Sequence, residues 1–438
     1  MPSMTLPYPP PRKARGRRRI FRWFLIVLGV FALLGLAVAI GWPVWKGAVD
    51  RRLDATWRKS LGGPSFLERY PATGYNSTVR DLDGLSAAIG IDMTSPETPG
   101  RTQPTAQAAA RFAAVKKPLG ELLDASKCPT DGSLAPPAPA LAAFLEAARP
   151  GLNAIRARLA QGPPPVWERD LSPGFETKIP NYLGVMMLQK LLLLDAHEQL
   201  RSGREAQARE ILETSWQLNQ ALADSHPCLV TQLVAQGVLR WQQPILRSFA
   251  VPPAGWRARL EGLDLQSRIF TGLQFEAFSA HRSAVLGRPL GGEDSGAFPK
   301  PLLSWMVWDY SRRFVASIEE MRRQDVRSFD PDEFVREWMR SVPRWQFAAR
   351  LLLPNFMDAW PRSVHKELEA ELTTLVFAER ERLAAGRPRP AIDRRPSRVK
   401  GLSWIYEETP ETLTLHCDGE LKSPETKAVP LRFTLRKG

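Results

Sequence analysis

The segment from Trp23 to Trp45 carries no charged or amide side chain, and no other feature constrains the fold of this chain as strongly. At a rise of 1.5 Å per residue, about 20 helical residues cross a hydrocarbon core about 30 Å thick. Tryptophans lie at both ends of the run, where the indole ring prefers the headgroup boundary. Residues 24–45 are therefore predicted to form one transmembrane helix.

A short basic tail, residues 1–23, precedes this predicted span. Half of the net charge of +14 comes from seven basic residues of the tail, namely Arg12, Lys13, Arg15, Arg17, Arg18, Arg19 and Arg22. The positive-inside rule places such a tail in the cytoplasm. The sequence thus predicts a single-pass protein of a bacterial inner membrane, with its C-terminal domain in the periplasm. Lys46, Arg51 and Arg52 follow the span and reduce the charge asymmetry.

Two targeting alternatives would change this location. Ala37 and Ala39 have the spacing of a signal-peptidase site, and cleavage after Ala39 would release the domain. The pair Arg18-Arg19 resembles the centre of a twin-arginine signal, although Arg17 stands where serine or threonine is usual. The apolar run continues beyond Ala39 without a polar break, which favours an uncleaved signal-anchor.

Charge distribution and cysteine content argue against two further classes of protein. Beyond the tail, arginine and glutamate alternate along predicted helices, so the net charge does not indicate a nucleic-acid-binding protein. Cys128, Cys228 and Cys417 cannot all pair within one chain, and no disulfide scaffold is predicted. If one bridge forms, we expect it between Cys128 and Cys228.

Helical patterns dominate the rest of the chain. Residues 46–165 are predicted to form a helical membrane-proximal region with proline-rich loops, and residues 166–385 a helical core domain. In the final segment, 386–438, three runs alternate apolar and polar residues, which predicts a small antiparallel β meander. The predicted fold class is mainly α, with a transmembrane helix, a multi-helix extracytoplasmic domain and this meander. Helices are predicted at 106–123, 139–160, 182–200, 265–285, 302–324, 331–340, 344–352 and 362–385.

The strongest helical signal lies at 181–224 and predicts a hairpin at the centre of the core. Leu191 to Leu194 are consecutive, so they point around the whole helix, and only a helix enclosed on most sides can bury all four. The next helix places apolar residues on one face from Ala208 to Leu222. We expect the function to lie away from this hairpin.

Motifs of the familiar enzyme classes are missing from the sequence. It contains no GxGxxG, P-loop, HExxH, CxxC pair or EF-hand loop. Asp294-Ser295-Gly296 resembles part of a serine protease motif, but it lies in a glycine-rich stretch rather than on the rigid turn that a nucleophile needs. We therefore assign no catalytic, cofactor-binding or metal-binding residue.

The histidines are His197, His226, His281, His365 and His416. None has a second histidine at helical spacing, so no metal site is predicted. His197 follows an apolar run and is predicted to be a core or boundary residue. His365 and Glu369 share one helix face, which we expect to be solvated.

Tryptophans between Trp305 and Trp360 interleave with arginines. This combination occurs in helices that lie on an anionic membrane surface. Acidic residues in the same stretch almost cancel the positive charge, which favours packing between helices instead.

Two sequence stretches carry a resemblance to a known group of proteins. LLLLDAHEQLRSGREAQAREILETSWQL has the spacing of a helical hairpin, and ELTTLVFAERERLAAGRPRP that of a late helix. From about Asn181 onward the chain resembles uncharacterised bacterial membrane-anchored helical proteins with a degenerate pseudopilin-like C-terminal segment. Gly386 to Pro388 and Gly401 to Tyr406 lie where that segment would be, but its Tyr-Pro and Asp-Pro elements are missing. The resemblance implies an architecture and no activity.

These features predict a membrane-anchored periplasmic binding or scaffold protein. Its expected partners are the membrane and a protein in the periplasm, and no nucleic acid. Two alternatives stay open. One is a membrane-tethered enzyme whose site the sequence does not reveal, and the other is a membrane-surface module that uses residues 305–360.

Overall fold

A computed structural model describes residues 15–94, 98, 100–126, 135–286, 300–343, 356–419, 421 and 431–437 of the chain, without the side chains of several residues in the first helix and of residues 300–305. The chain is mainly helical (67%) and ends in a small antiparallel sheet of four strands. It divides into two compact units between Thr56 and Trp57.

Thirteen α-helices lie within the described residues. They are α1 (Arg15–Ser60), α2 (Phe66–Arg69), α3 (Ser77–Ala88), α4 (Ala106–Ala125), α5 (Pro139–Gln161), α6 (Tyr182–Arg201), α7 (Glu205–Ser225), α8 (Leu229–Ser248), α9 (Trp256–Glu261), α10 (Leu265–Val285), α11 (Lys300–Arg323), α12 (Pro331–Ser341) and α13 (Ala359–Ala384). Their bounds confirm the predicted helices, apart from 344–352, which lies outside the described residues.

The first unit consists of the N-terminal part of α1. Several of its apolar side chains are exposed, among them Ile26, Leu33 and Ile40. A search of the described residues finds no helix that is both long and apolar enough to cross a membrane. The predicted span at 24–45 lies within α1, and several of its side chains are outside the described residues.

The second unit has the α6–α7 hairpin at the centre of its core. Asn181 begins α6 by accepting a hydrogen bond from the backbone N–H of Gly184, and Gly203 adopts a φ of 75° at the tight turn into α7. Leu191 to Leu194 are all 0% exposed. The prediction of an enclosed hairpin is confirmed, because α4, α5, α7 and α8 contact α6.

Buried polar side chains join α8 to α13. Gln236 donates a hydrogen bond to the hydroxyl of Ser363 at 3.1 Å. Arg247, eleven residues further along α8, donates to the hydroxyl of Thr373 at 3.0 Å. Because the paired positions advance together along both helices, α8 and α13 run in the same direction. The polar contacts therefore extend along about three turns of each helix.

The prediction of a solvated face at His365 is wrong. His365 is 0% exposed, and its Nδ1 lies 3.7 Å from Oε1 of Glu369, which is 4% exposed. Arg240 of α8 approaches the same carboxylate, with its Nε 3.3 Å from Oε1. The helix α13 contacts α8, α9, α10 and the sheet, so even its polar face is enclosed.

The C-terminal sheet has the strand order β1-β2-β3-β4, and every pair is antiparallel. Its strands are β1 (Ile392–Pro396), β2 (Ser403–Glu408), β3 (Thr412–Asp418) and β4 (Arg432–Arg436). The three predicted strands are confirmed as β2, β3 and β4. The strand β1 was not predicted, because IDRRP contains no apolar alternation and nearly all of this edge strand is exposed.

The tryptophans of 305–360 support packing between helices where their side chains are described. Trp308 is 1% exposed and Trp360 is 4% exposed, while Trp338 is half-buried. Phe329 lies edge-on to Trp360, with the ring centroids 4.8 Å apart. Trp308, Phe329 and Trp360 therefore belong to the interior of the second unit.

Candidate functional site

An open groove runs along the outer face of α7, between α5 and the segment that leads into α9. It consists of two cavities, of about 750 Å³ and about 600 Å³, which we call the first lobe and the second lobe. Both lobes are lined by Ala160, Glu213 and Gln217, so they form one continuous depression. We refer to it as the α7 groove.

The amphipathic pattern of two helices creates the walls of the groove. On α7, Ile211, Leu218 and their neighbours at three-and-four spacing are 0% exposed, which leaves the charged and amide side chains on the outer face. On α5, Leu152 and Ile155 are buried in the same way. The outer faces of the two helices therefore form polar walls above a closed apolar core.

Each lobe combines charged, amide and small side chains. The first lobe is lined by Asn153, Arg156, Ala157, Ala160, Arg209, Glu210, Glu213, Thr214, Gln217, Pro253, Ala254 and Trp256. The second lobe is lined by Leu159, Ala160, Gly162, Pro164, Pro165, Glu213, Trp216, Gln217, Gln220, Ala221, Asp224 and Arg259. Trp216 and Trp256 meet edge-on with ring centroids 5.2 Å apart where the lobes join. Both volumes fall in the range of small-ligand sites.

The charges of the second lobe are paired within the protein. Arg259 forms an ion pair with Glu213 and also lies 5.5 Å from the centroid of the Trp256 ring. Nη2 of Arg268 lies 3.8 Å from Oδ1 of Asp224. These contacts give the second lobe a fixed wall with little unsatisfied charge.

The first lobe has polar groups that lack hydrogen-bond or ion-pair partners within the described part of the protein. Arg156 donates from Nη2 to Oδ1 of Asn153 at 2.6 Å, yet its buried Nε meets no acceptor among the described residues. Arg209 bonds to Glu205 at 3.3 Å, and its Nε is likewise buried without an acceptor in that part of the chain. Glu210, on the α7 wall, forms no side-chain hydrogen bond or ion pair with any described residue.

A buried hydroxyl and thiol cluster lies elsewhere, at the start of α8. Thr231 donates to Tyr182 at 2.5 Å, and its hydroxyl also contacts the Cys228 thiol at 2.8 Å. The backbone N–H of Leu229 donates to Oε1 of Glu276 at 3.0 Å. Burial raises the pKa of the Cys228 thiol and of the Glu276 carboxyl. A thiol with a raised pKa stays protonated at neutral pH, so the cluster closes the end of a helix rather than activating a nucleophile.

Histidines of the second unit are also enclosed rather than gathered at a site. Burial lowers the pKa of His197, which is 0% exposed, in agreement with the predicted core position. Burial and the nearby Arg169 lower the pKa of His226 to about 4, and its Nδ1 lies 3.2 Å from the hydroxyl of Ser225. Neither histidine lines the α7 groove.

Metal ligands do not cluster in the described residues, where no three His, Cys, Asp or Glu side chains come together. Cys228 forms no disulfide with a described cysteine, and Cys128 lies outside the described residues, so the Cys128–Cys228 bridge stays a prediction. Ser295 also lies outside them.

The α7 groove was not predicted from the sequence. Arg156 and Glu210 follow an ordinary amphipathic pattern, and no local signal shows that two polar faces 50 residues apart border one cavity. We expected the function to lie away from the 181–224 hairpin because the sequence pattern draws attention to the buried face of that hairpin. The outer face of α7 belongs to the same hairpin and forms one wall of the groove.

Comparison of the chain with protein-family models, curated proteins and solved structures gives no match of any kind. The geometry of the chain itself is therefore the basis for its functional interpretation.

Proposed function

We propose that this chain is a single-pass protein of a bacterial inner membrane whose periplasmic helical domain binds an extended segment of another protein in the α7 groove. The anchor in this proposal is the charge-free run at 24–45, with the basic tail in the cytoplasm. Ile26, Leu33 and Ile40 of this run are 56%, 68% and 63% exposed. The exposure of apolar side chains to water over several helical turns is unfavourable, and the hydrocarbon core of a bilayer would cover these side chains.

The binding role rests on one observation, which is the polar groove with unused hydrogen-bonding groups. Its α7 wall extends from Arg209 to Asp224, which lies fifteen residues further along the helix. At a rise of 1.5 Å per residue, the length of this wall is about 22 Å. A strand of six or seven residues has the same length at about 3.3 Å per residue. The amide side chains of Asn153, Gln217 and Gln220 each make one hydrogen bond within the protein, and each keeps a further donor hydrogen and acceptor lone pair for a peptide backbone.

A peptide selection tests this proposal directly. The full chain in lipid nanodiscs is used to select binders from a display library of random ten-residue peptides, and the affinity of a selected peptide is measured by fluorescence anisotropy. We expect Gln217→Trp to weaken binding at least tenfold, because the indole would fill the junction of the lobes. Gln207→Trp adds the same side chain to an exposed position of α7 outside the groove and should leave the affinity unchanged.

Two outcomes would contradict the proposal. If no peptide is selected, the ligand is not an extended polypeptide. If selected peptides bind Gln217→Trp as tightly as the unaltered chain, the α7 groove is not their site.

The α7 groove does not favour a membrane-tethered enzyme. Burial shifts the pKa of several described carboxyl and histidine groups, such as Glu276 and His226. None of these groups lines the groove. A groove without such groups lacks the usual basis of acid–base catalysis. The membrane-surface module needs exposed tryptophans, and Trp308 and Trp360 are buried.

A further inference from the structure

Arg156 and Glu210 are opposite charges that line the same lobe from opposite walls and are not paired with each other. Arg156 belongs to α5 and Glu210 to α7, and both line the first lobe. Asn153 accepts a hydrogen bond of 2.6 Å from Nη2 of Arg156 and so orients the guanidinium group. Glu210 is exposed and has no side-chain partner among the described residues.

The surroundings of these two groups differ from those of the other charges in the groove. Glu213 is paired with Arg259, and Arg209 is paired with Glu205. Arg156 has no acidic partner in the described part of the chain, because its Nη2 bonds to a neutral amide and its Nη1, which is not buried, makes no hydrogen bond there. A carboxylate in the lobe can accept a hydrogen bond from Nη1 of Arg156, while a cation can pair with the carboxylate of Glu210.

From this arrangement we infer that the first lobe selects peptide segments that carry an acidic and a basic side chain close together. This inference rests on the proposed function and names the chemistry of its ligand. Arg156 binds the acidic side chain of the segment, and Glu210 binds the basic one. In an extended chain, side chains two residues apart point to the same side and are about 6.6 Å apart. A glutamate and a lysine at this spacing therefore point into the same lobe.

Four blocked heptapeptides of alanine test the inference with the full chain in nanodiscs. One carries glutamate and lysine two residues apart, one carries only the glutamate, one only the lysine, and the last carries glutamine at both positions. We expect the doubly charged peptide to bind about tenfold more tightly than the glutamine peptide, with an advantage that falls as salt rises.

The variants assign each charge to its wall of the lobe. Arg156→Gln should remove the preference for glutamate and keep that for lysine, and Glu210→Gln should do the reverse. Arg111→Gln and Glu333→Gln alter exposed residues of α4 and α12 outside the groove and should change neither preference. Thermal unfolding of each variant serves to verify that the fold is intact.

The possible failures are distinguishable. If Gln217→Trp abolishes binding but Arg156→Gln and Glu210→Gln leave both preferences unchanged, the inference is wrong and the proposed function stands. If the four peptides bind equally well, the lobe does not select for charge. If none of them binds, and the peptide selection also fails, both proposals are overturned.

Discussion

At the scale of single residues, enclosed polar side chains hold α8 and α13 in one relative position. Glu369 lies between Arg240 and His365, and all three belong to the helix interface. Burial lowers the pKa of Arg247 to about 10, while Glu369 opposes this shift, so Arg247 remains a cation at neutral pH. Buried charges that lose their partners are strongly destabilising. Sliding one helix along the other would separate these groups, so the polar contacts restrict the interface to one register.

His226 should make stability depend on pH. Its pKa is about 4 in the folded chain, with burial as the main cause and Arg169 as the second, against about 6.5 in the unfolded chain. The unfolded state therefore binds more protons between these values. The stabilisation is complete above pH 6.5 and is lost as the pH falls towards 4, by about 3 kcal/mol in total.

Chemical denaturation at pH 7.5 and pH 4.5 measures this effect. The free energy of unfolding should fall less between the two pH values in His226→Gln than in the unaltered chain. His416→Gln provides a matched control at a half-buried position on β3. An identical pH dependence of all three proteins would refute the role of His226.

At the scale of elements, neighbouring helices of the hairpin perform different tasks because their patterns differ. The helix α6 is buried on nearly every face, so it can only contribute to the core. The helix α7 has one apolar face and one polar face, which lets it contact α6 and line the groove at the same time. The α7 groove thus lies on a wall that the core itself holds rigid.

Truncation of one α6 leucine should destabilise the second unit. Leu192 is 0% exposed, and a leucine-to-alanine change in a core costs about 2 to 5 kcal/mol. We expect Leu192→Ala to lower the melting temperature by several degrees in differential scanning calorimetry. Leu183→Ala changes the same residue type on the same helix at a position that is 66% exposed, and it should have little effect. Equal shifts for both variants would contradict the central position of α6.

At the scale of the whole molecule, the proposed topology separates the basic tail from the second unit by one membrane span. A reporter enzyme that is active only outside the cytoplasm, fused after residue 438, should give a signal in intact bacteria. The same reporter fused before residue 1 should be silent. The reverse pattern with an intact chain would invert the orientation, and a signal from chains shortened by about 39 residues would indicate cleavage after Ala39.

The sequence predicted most helices of this chain but not the relations between them. The bounds of α10 and α12 followed from proline and glycine positions and from apolar spacing, which act within one element. The strand β1 was missed because it pairs through its backbone and has no apolar face of its own. His365 was misjudged because its polar neighbours at helical spacing are also those of a surface helix.

Local pattern by itself therefore determined which residues form helices and strands, and that Leu191 to Leu194 are enclosed, since four consecutive leucines leave no outward face. Only the tertiary structure decided that the polar face at Glu369 is buried, because burial depends on which distant helices cover it. The α7 groove has the same origin. Arg156 and Glu210 border one lobe because the core packs α5 beside α7, and that contact is a property of the assembled fold.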